Sequence, residues 1–267
     1  MYKIIASDLD GTLLNSEHQI PDFTRKVLSQ LHEQGMNFVF ATGRHHIDVA
    51  YMRDLIRIPA FMITSNGACV HNSENEMVFK QLLDVNVFAE IINMIKHDNE
   101  LNINIYQTNT WLRNNEIVGD NGHRSGFNYE IFDVNHPPQS DIIKVFLTRD
   151  DKDHDKLALW EGKIKDKFAD KVNVSFSAPY CLEIMDIGVS KGHALDAIAK
   201  LKGYQLSNCL AFGDGMNDYE MLSMAGKGLV MGTSHFKVKQ ALPNNEVIGD
   251  CDNEAVAHYI VDHLLNN

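Results

Sequence analysis

The sequence predicts an α/β protein with a doubly wound parallel sheet, into which a smaller α+β domain is inserted. At both ends of the chain, short apolar runs alternate with amphipathic helical segments, a pattern typical of parallel strands joined by helices. In the middle, strands are joined by short turns as well as by helices, which is typical of α+β domains. We therefore predict a core of residues 1–83 and 188–267 and an insertion at residues 84–187.

The first part of the predicted core contains three short apolar strands, each followed by polar residues. Helices through Val27 and Leu31 and through Ile47 and Tyr51 separate the strands. The strands are IIAS from Ile4, NFVFA from Asn37 and AFMIT from Ala60, and the polar residues after them are Asp8, Asp10, Thr42, Arg44, Ser65 and Asn66, with Gly43 and Gly67. Because open α/β sheets bind ligands at the carboxyl ends of their strands, these residues mark the predicted functional edge.

The insertion is predicted to begin with a helix through Phe88 and Ile92 and to continue as a hairpin. Its polar, glycine-bearing stretch Gly119–Asn128 is expected to interrupt the regular structure. The remaining predicted elements are the hairpin strands Ile103–Tyr106 and Trp111–Arg113, a strand at Ile142–Thr148, a helix through Leu157 and Phe168, and two strands at Val172–Phe176 and Cys181–Met185.

The last part of the chain returns to the pattern of the core. Ser190 and Lys191 open a predicted helix that Gly203 closes. A buried strand at Cys209–Phe212 follows and ends in the run GDGMND, which contains Asp214, Asn217 and Asp218. A helix through Met221, Leu222 and Ala225 follows this run. Short strands at Gly228–Met231 and Glu246–Ile248 and an amphipathic helix through Val256 and Leu264 complete the predicted core.

The composition limits the classes of ligand and the compartment. A formal charge of -12 disfavours nucleic acid or an anionic membrane as the main partner. The four cysteines lack paired close spacing, so we expect free thiols in a reducing compartment rather than a zinc site. The chain shows neither a charged leader nor an apolar stretch of bilayer length, and we expect a cytoplasmic protein.

The polar residues at the strand ends suit one kind of chemistry. If the strands are parallel, Asp8, Asp10, Thr42 and the acidic run after Phe212 emerge at one edge, where carboxylates can hold Mg²⁺. Lys191 and the neutral side chains of Thr42 and Asn217 could then bind a phosphate. An aspartate can attack phosphorus while a second carboxylate transfers protons, and Asp8 and Asp10 have the spacing for these two roles.

Simpler interpretations exist for each residue alone. Asp and Gly are common turn residues, Thr42 and Ser190 could be helix caps, Lys191 could be a solvated first-turn residue, and Asp218 could only favour a helix N-terminus. The sequence fits neither an EF-hand nor a P-loop. His45 and His46 are adjacent and cannot both face one metal from a helix. Together, however, the polar residues at element boundaries favour a functional site.

The order DLDGTL, TGR, VSKG and GDGMND resembles the four motifs of the haloacid dehalogenase superfamily of phosphatases. The insertion between the second and third motifs resembles the type IIB cap of the Cof-type subfamily. Runs such as FVFATGRHH, MITSNGA and VSKGHAL resemble the pyridoxal phosphate phosphatases of that subfamily. The resemblance covers essentially the whole chain.

The resemblance implies a role for each matched residue. Asp8 would be the nucleophile and Asp10 the acid and base. Mg²⁺ would be bound by Asp8, the main-chain carbonyl of Asp10 and Asp214, with Asp218 supporting the metal shell; the phosphate would contact the main chain of Leu9 together with Thr42, Gly43, Lys191 and Asn217.

The resulting expectation is a Mg²⁺-dependent phosphomonoesterase for a small soluble metabolite, first pyridoxal 5'-phosphate and next a sugar phosphate. A phosphotransferase or mutase would use the same aspartyl-phosphate, and a phospholigand sensor would need the fold but not the nucleophile. We expect the insertion to select the substrate; otherwise selectivity belongs to core loops near Arg44 and Asn66. The sequence does not indicate an oligomeric state.

Overall fold

A computed structural model describes residues 2–117 and 127–266, with the backbone alone at Leu55. The chain divides into two compact units: Met1–Phe79 with Ser190–Asn267, here called the core, and Lys80–Val189, here called the insertion. The first junction lies about four residues before, and the second about two residues after, the junctions drawn from the sequence. Boundaries of elements and domains are the least certain part of sequence interpretation.

The helices and strands follow one another in three groups. The first group is β1 Ile4–Ser7, α1 Asp22–Glu33, β2 Asn37–Ala41, α2 His46–Ile56, β3 Ala60–Thr64, β4 Cys69–His71 and β5 Met77–Lys80. The second is α3 Val85–Ile95, β6 Asn102–Tyr106, β7 Trp111–Arg113, β8 Tyr129–Ile131, β9 Lys144–Thr148, α4 His154–Phe168, β10 Val172–Ala178 and β11 Cys181–Asp186. The third is α5 Lys191–Leu201, β12 Cys209–Gly213, α6 Tyr219–Met224, β13 Lys227–Val230, α7 Phe236–Ala241, β14 Glu246–Val247 and α8 Ala255–Ile260.

The core sheet has the strand order β14-β13-β12-β1-β2-β3-β4-β5. β1 lies between β2 and β12 and pairs with both in parallel, with Ile4 opposite Asn37 and Cys209. Because neighbouring parallel strands end at the same edge, the residues after β1, β2 and β12 are brought together. The predicted doubly wound parallel sheet is confirmed, and β4 adds an antiparallel strand beside β3.

Both faces of the core sheet are covered, which explains the unbroken apolar runs. Phe38 and Phe40 of β2 belong to the hydrophobic cluster that contains α1 and α8. The alternate residues Val39 and Ala41 belong to a second cluster that contains α5 and α6. Since successive side chains of a strand point to opposite faces, both sets of side chains in such a strand are buried, which favours a continuous apolar run; the polar residues Ser7, Asn37 and Thr64 stand at strand ends.

The insertion is a separate sheet with the order β10-β11-β9-β6-β7-β8. The helices α3 and α4 pack on one face, where Ile91 and Ile164 share a cluster with Val145 and Ile184. Alternate residues of the same strands form the opposite face, here called the aromatic face. Its members are Asn104 and Tyr106 of β6, Trp111 of β7, Lys144 and Phe146 of β9, and Glu183 of β11.

Four short elements are absent from the sequence-based prediction. They are β4, β5, β8 and α7, of three to six residues each. Such lengths cover at most two turns of helix or two side-chain repeats of a strand, so hydrophobic periodicity cannot identify them. The predicted interruption at Gly119–Asn128 lies outside the described residues, except for its last two positions.

The cysteines are free thiols, with Cys69 and Cys209 buried and Cys181 and Cys251 partly buried. Within residues 2–117 and 127–266, no helix combines the length and the apolar character needed to cross a bilayer.

Candidate active site

The predicted site residues lie at the carboxyl ends of neighbouring core strands and at the start of one helix. Asp8, Leu9 and Asp10 follow β1; Thr42, Gly43 and Arg44 follow β2; Asn66 follows β3; Asp214, Asn217 and Asp218 follow β12; and Lys191 is the first residue of α5. The side chain of Leu9 is fully buried in the core, so only its main chain is suited to contact a ligand.

Lys191 is the buried cation of the site. Its side chain has no exposed surface, and its Nζ lies 2.5 Å from Asp8 Oδ1 and 2.6 Å from Asp218 Oδ1. Burial would lower the pKa of Lys191, but the two carboxylates outweigh burial and raise it. Ser190 caps the helix, since its Oγ accepts the N–H of His193 at 3.1 Å. The helix-cap interpretation of Ser190 is therefore correct, whereas Lys191 as a solvated residue is wrong.

Asp218 connects Lys191 to the loop after β12. Its Oδ2 accepts the main-chain N–H groups of Asp214 at 3.1 Å and Gly215 at 2.9 Å. Its Oδ1 binds Lys191, so each of its two oxygens has a protein donor. Asp218 therefore fixes the backbone that carries Asp214, whose own Oδ1 accepts the Thr12 hydroxyl at 3.0 Å.

Three carboxylates crowd around the single ammonium group. Oxygens of Asp8, Asp214 and Asp218 all lie within 4.8 Å of one another. Burial, followed by the charges of Asp218 and other neighbours, raises the pKa of Asp214 to about 6 and that of Asp8 well above its usual value. The strain is electrostatic, because burial and like charges both disfavour ionisation of a carboxylate.

The donor set fits a divalent cation with oxygen ligands. When ionised, three carboxylates and one ammonium leave two negative charges unbalanced, as many as Mg²⁺ would neutralise. Within the described residues, Asp8 Oδ2 and Asp214 Oδ2 accept no hydrogen bond. These two oxygens are the candidates to bind Mg²⁺. Both oxygens of Asp218 already accept hydrogen bonds from protein donors, so Asp218 is less suited to bind the ion directly.

Asp10 points to a different partner. Its carboxylate accepts two hydrogen bonds from Arg44, at 2.7 Å from Nε and 2.5 Å from Nη2. His18 Nδ1 lies 3.2 Å from Asp10 Oδ1. Burial alone would raise the pKa of Asp10, but the hydrogen bonds and charge of Arg44 outweigh it and lower the pKa. The contact with Asp10 thus fixes the position of the Arg44 side chain.

The predicted phosphate-binding side chains are held by the backbone and by one another. Thr42 is buried, and its Oγ1 accepts the N–H of Arg44 at 3.1 Å, so its hydroxyl proton remains to be donated. Asn217 Nδ2 donates to Asn66 Oδ1 at 3.1 Å. Asn66 is itself buried. Asn66, the candidate specificity residue should selectivity belong to the core loops, is therefore in direct contact with a predicted phosphate ligand.

Two partners of the acidic residues were not singled out from the sequence. Thr12 donates a hydrogen bond to Asp214, which is far away in the sequence. The sequence indicates this role only through the position of Thr12 directly after the turn residue Gly11. His18 is the second partner of Asp10 and follows no recognisable pattern.

Carboxylates, a buried lysine and amide groups at the carboxyl edge of a parallel sheet define an α/β protein whose site suits phosphoryl chemistry. Comparisons with known proteins agree with this class. A match to the family described as haloacid dehalogenase-like hydrolases spans residues 5–260, and the chain belongs to this family. The sequence-based identification as a Cof-type phosphatase of the superfamily is confirmed.

Three similar proteins illustrate the relationship. An HMP-PP phosphatase of Cronobacter sakazakii is 36% identical over 266 residues, covering 99% of this chain and 96% of its own. A haloacid dehalogenase-like hydrolase of B. subtilis is 25% identical with a TM-score of 0.83, covering 98% and 99% of the two chains. The structure of a subclass IIB sugar phosphatase, 20% identical, has a TM-score of 0.81 over 97% and 98% and shares the fold.

Replacing Lys191 with Met is expected to lower the free energy of unfolding by about 3–5 kcal/mol in metal-free buffer at pH 8, because buried carboxylates lose their cation. The loss should shrink at pH 5. Asp8 and Asp214 have raised pKa values, and carboxylates that bind protons more readily when folded stabilise the folded state as the pH falls. Urea unfolding at both pH values measures the difference from the parent.

Lys200→Met is the matched control, because Lys200 lies on the same helix but is 72% exposed and, among the described residues, pairs only with Asp196. The control should change the free energy of unfolding by no more than about 0.5 kcal/mol at either pH. A loss for Lys191→Met at pH 8 no larger than that of the control would contradict the assigned burial of charge.

Proposed function

We propose that this chain is a Mg²⁺-dependent phosphomonoesterase that acts on a small phosphorylated metabolite through an aspartyl-phosphate at Asp8. The observation that carries the proposal is the contact of Asp8 with Lys191, a fully buried cation that Asp218 holds from its other side. A cation fixed beside the attacking carboxylate can bind the phosphoryl oxygens without having to be reorganised. We expect the enzyme in the cytoplasm.

Asp8 attacks phosphorus with a carboxylate oxygen, and the bond from phosphorus to the ester oxygen breaks. Asp10 donates a proton to the leaving oxygen and later takes one from the water that attacks the phosphoryl group. The second step releases inorganic phosphate and restores the Asp8 carboxylate. Since Arg44 holds Asp10 ionised, the observed pair suits the second step, and protonation for the first step requires looser contacts with Arg44.

The remaining residues bind and orient the phosphate. Lys191 supplies positive charge, Thr42 a hydroxyl donor and Asn217 an amide donor, while the main chain at Leu9 and Gly43 adds N–H groups. Mg²⁺, held by Asp8 and Asp214 with the main-chain carbonyl of Asp10, would neutralise charge on the phosphate and the carboxylates. Asp218 supports this arrangement by keeping Lys191 and the loop of Asp214 in place.

Asp8→Asn is expected to reduce phosphatase turnover by on the order of 10³-fold or more while leaving the protein folded. The amide has almost the volume of the carboxylate but cannot attack phosphorus. Release of inorganic phosphate is measured with saturating Mg²⁺ and again with EDTA, which should stop the parent enzyme reversibly. Asp22→Asn, at an exposed position in the first turn of α1, is the control and should keep full activity.

Substantial turnover by folded Asp8→Asn would remove Asp8 as the nucleophile, and unchanged parent rates in EDTA would remove the metal. A phosphotransferase would pass the phosphoryl group to an added hydroxyl acceptor instead of to water, so analysis of products with and without an acceptor separates it from a phosphatase. A sensor would bind phosphate without any turnover.

For the substrate we propose a phosphorylated ring compound, with pyridoxal 5'-phosphate first and sugar phosphates as the alternative; the HMP-PP named for the Cronobacter relative is a further candidate. The aromatic face of the insertion supports this order. Tyr106 and Phe146 lie edge to face, with ring centroids 5.0 Å apart, and Lys144 Nζ lies 5.0 Å and 5.1 Å from the two centroids. Tyr106 and Lys144 are buried and Phe146 is partly exposed, so Phe146 is the ring of this group that a substrate could contact, and an aromatic contact suits a planar ring better than a sugar. We propose that the insertion selects the substrate in this way.

Phe146→Leu is expected to lower kcat/KM for pyridoxal 5'-phosphate by about fivefold, the worth of one aromatic contact, and to change kcat/KM for glucose 6-phosphate by less than about twofold. Phe176→Leu is the matched control, because Phe176 belongs to the same sheet but packs on the cluster beneath the helices. Steady-state kinetics with both substrates measures the ratio. Equal losses on the two substrates for Phe146→Leu would remove the aromatic face from substrate selection.

A further inference from the structure

The turn after β3 consists of three successive residues with left-handed backbone angles. Ser65, Asn66 and Gly67 have φ values of 47°, 57° and 106°. Asn adopts this region more readily than most residues, but for Ser it is unfavourable by roughly 1–2 kcal/mol. Such strain persists only where the surroundings hold it in place, and Ser65 and Asn66 are both buried. The contacts of this turn account for the strain.

The turn supports the segment that carries Thr42 and Arg44. The N–H of Ser65 donates to the carbonyl of Arg44, and the N–H of Asn66 donates to the carbonyl of Thr42, each at 2.9 Å. Both donors belong to residues with left-handed backbone angles. Main-chain hydrogen bonds from the turn after β3 therefore hold the loop after β2 in place.

The same turn lies against the beginning of α5. A Cβ atom added to Gly67 would lie 2.2 Å from the carbonyl oxygen of Ser190 and 3.1 Å from the nitrogen of Lys191. Real Cβ atoms do not approach backbone so closely, so only glycine fits this position. The segment that presents Lys191 therefore rests directly on the turn.

The side chain of Asn66 makes the third connection. Its Oδ1 accepts Asn217 Nδ2 at 3.1 Å, so the amino end of the Asn217 amide faces Asn66. The carbonyl end faces the other way, since a Cβ atom added to Gly215 would lie 2.3 Å from Asn217 Oδ1. An amide has two N–H donors on one nitrogen. With one donor bound to Asn66, the amide is fixed in the orientation that leaves its second donor for an anion.

We propose that Asn66 is a positioning residue that acts through Asn217. Asn66 fixes the Asn217 amide so that an N–H, rather than the carbonyl oxygen, faces the phosphate. The turn that contains Asn66 also contacts the loop of Thr42 and the segment that begins with Lys191. This proposal rests on the proposed phosphatase function. It assigns Asn66 to phosphate binding rather than to the choice of leaving group, the role first predicted for it.

The test compares Asn66→Ala and Asn66→Gly in the full chain with Mg²⁺. Both variants remove the side-chain acceptor, but glycine also relieves the left-handed backbone. Both are expected to raise the inhibition constant of inorganic phosphate and lower kcat/KM by about tenfold, the worth of one hydrogen bond in a binding site. The factor should be equal for pyridoxal 5'-phosphate and glucose 6-phosphate, since the phosphate is common to both.

A double-mutant cycle with Asn217→Ala separates positioning from general support. If Asn66 acts through Asn217, adding Asn66→Gly to Asn217→Ala should change the phosphate inhibition constant by less than about twofold. Wild-type phosphate binding by Asn66→Gly, or effects of the two substitutions that simply multiply, would overturn the proposal. If the parent chain neither hydrolyses phosphomonoesters nor binds phosphate, the proposed function itself is wrong. If the parent chain is active and the Asn66 variant has the same activity and phosphate affinity, only the role of Asn66 is wrong.

Discussion

The structure depends on one buried charge, the ammonium group of Lys191 between Asp8 and Asp218. Transfer of each of these charged groups from water to the protein interior costs several kcal/mol of free energy. Only direct contact between oppositely charged groups offsets this cost. Both contacts are present, at 2.5 Å and 2.6 Å. Because Asp8 follows β1, Asp218 follows β12 and Lys191 begins α5, the ion bridge requires the sheet and this helix to be assembled in one arrangement.

This dependence links the fold to the chemistry. The central position of β1 between β2 and β12 brings polar groups from distant parts of the sequence to one edge. There the carboxylates of Asp8, Asp214 and Asp218 surround the ammonium group of Lys191, and burial together with the charge of Asp218 raises the pKa of Asp214 to about 6. Carboxylates without enough positive charge nearby destabilise the folded protein when no metal ion is bound, but the same carboxylates can bind a cation. Stability and function are therefore opposed at this edge, and binding of a metal ion would relieve the conflict.

Much of this arrangement could be predicted from the sequence. Strands such as Asn37–Ala41 are buried on both faces, so their apolar runs are continuous and easy to recognise. The residues after them are expected to meet because parallel strands end at one edge. Contacts between side chains were harder to predict: nothing in the spacing indicates that Asp10 binds Arg44 or that Thr12 binds Asp214. These contacts depend on rotamers and loop geometry that only the folded chain determines.

The side-chain contacts of the insertion are also difficult to predict from the sequence. Its hydrophobic cluster follows from the periodicity of α3, α4 and the strands, yet the aromatic face on the opposite side depends on the register of β6, β7 and β9. A shift of one residue would exchange the two faces. The short parallel strand β8 beside β7 gave no periodic signal. Thus the residues of the core site can be recognised from motifs, whereas the aromatic face of the insertion depends on details of packing.

The central claim is that Asp8 receives the phosphoryl group. The most direct measurement mixes the enzyme rapidly with Mg²⁺ and a substrate that it hydrolyses, stops the reaction with acid within the first turnover, and locates the added mass by peptide mass spectrometry. The account predicts one phosphoryl group on Asp8 that forms and decays at rates consistent with turnover. Release of phosphate in the first turnover without any phosphorylated Asp8, or with the group on another residue, would contradict it.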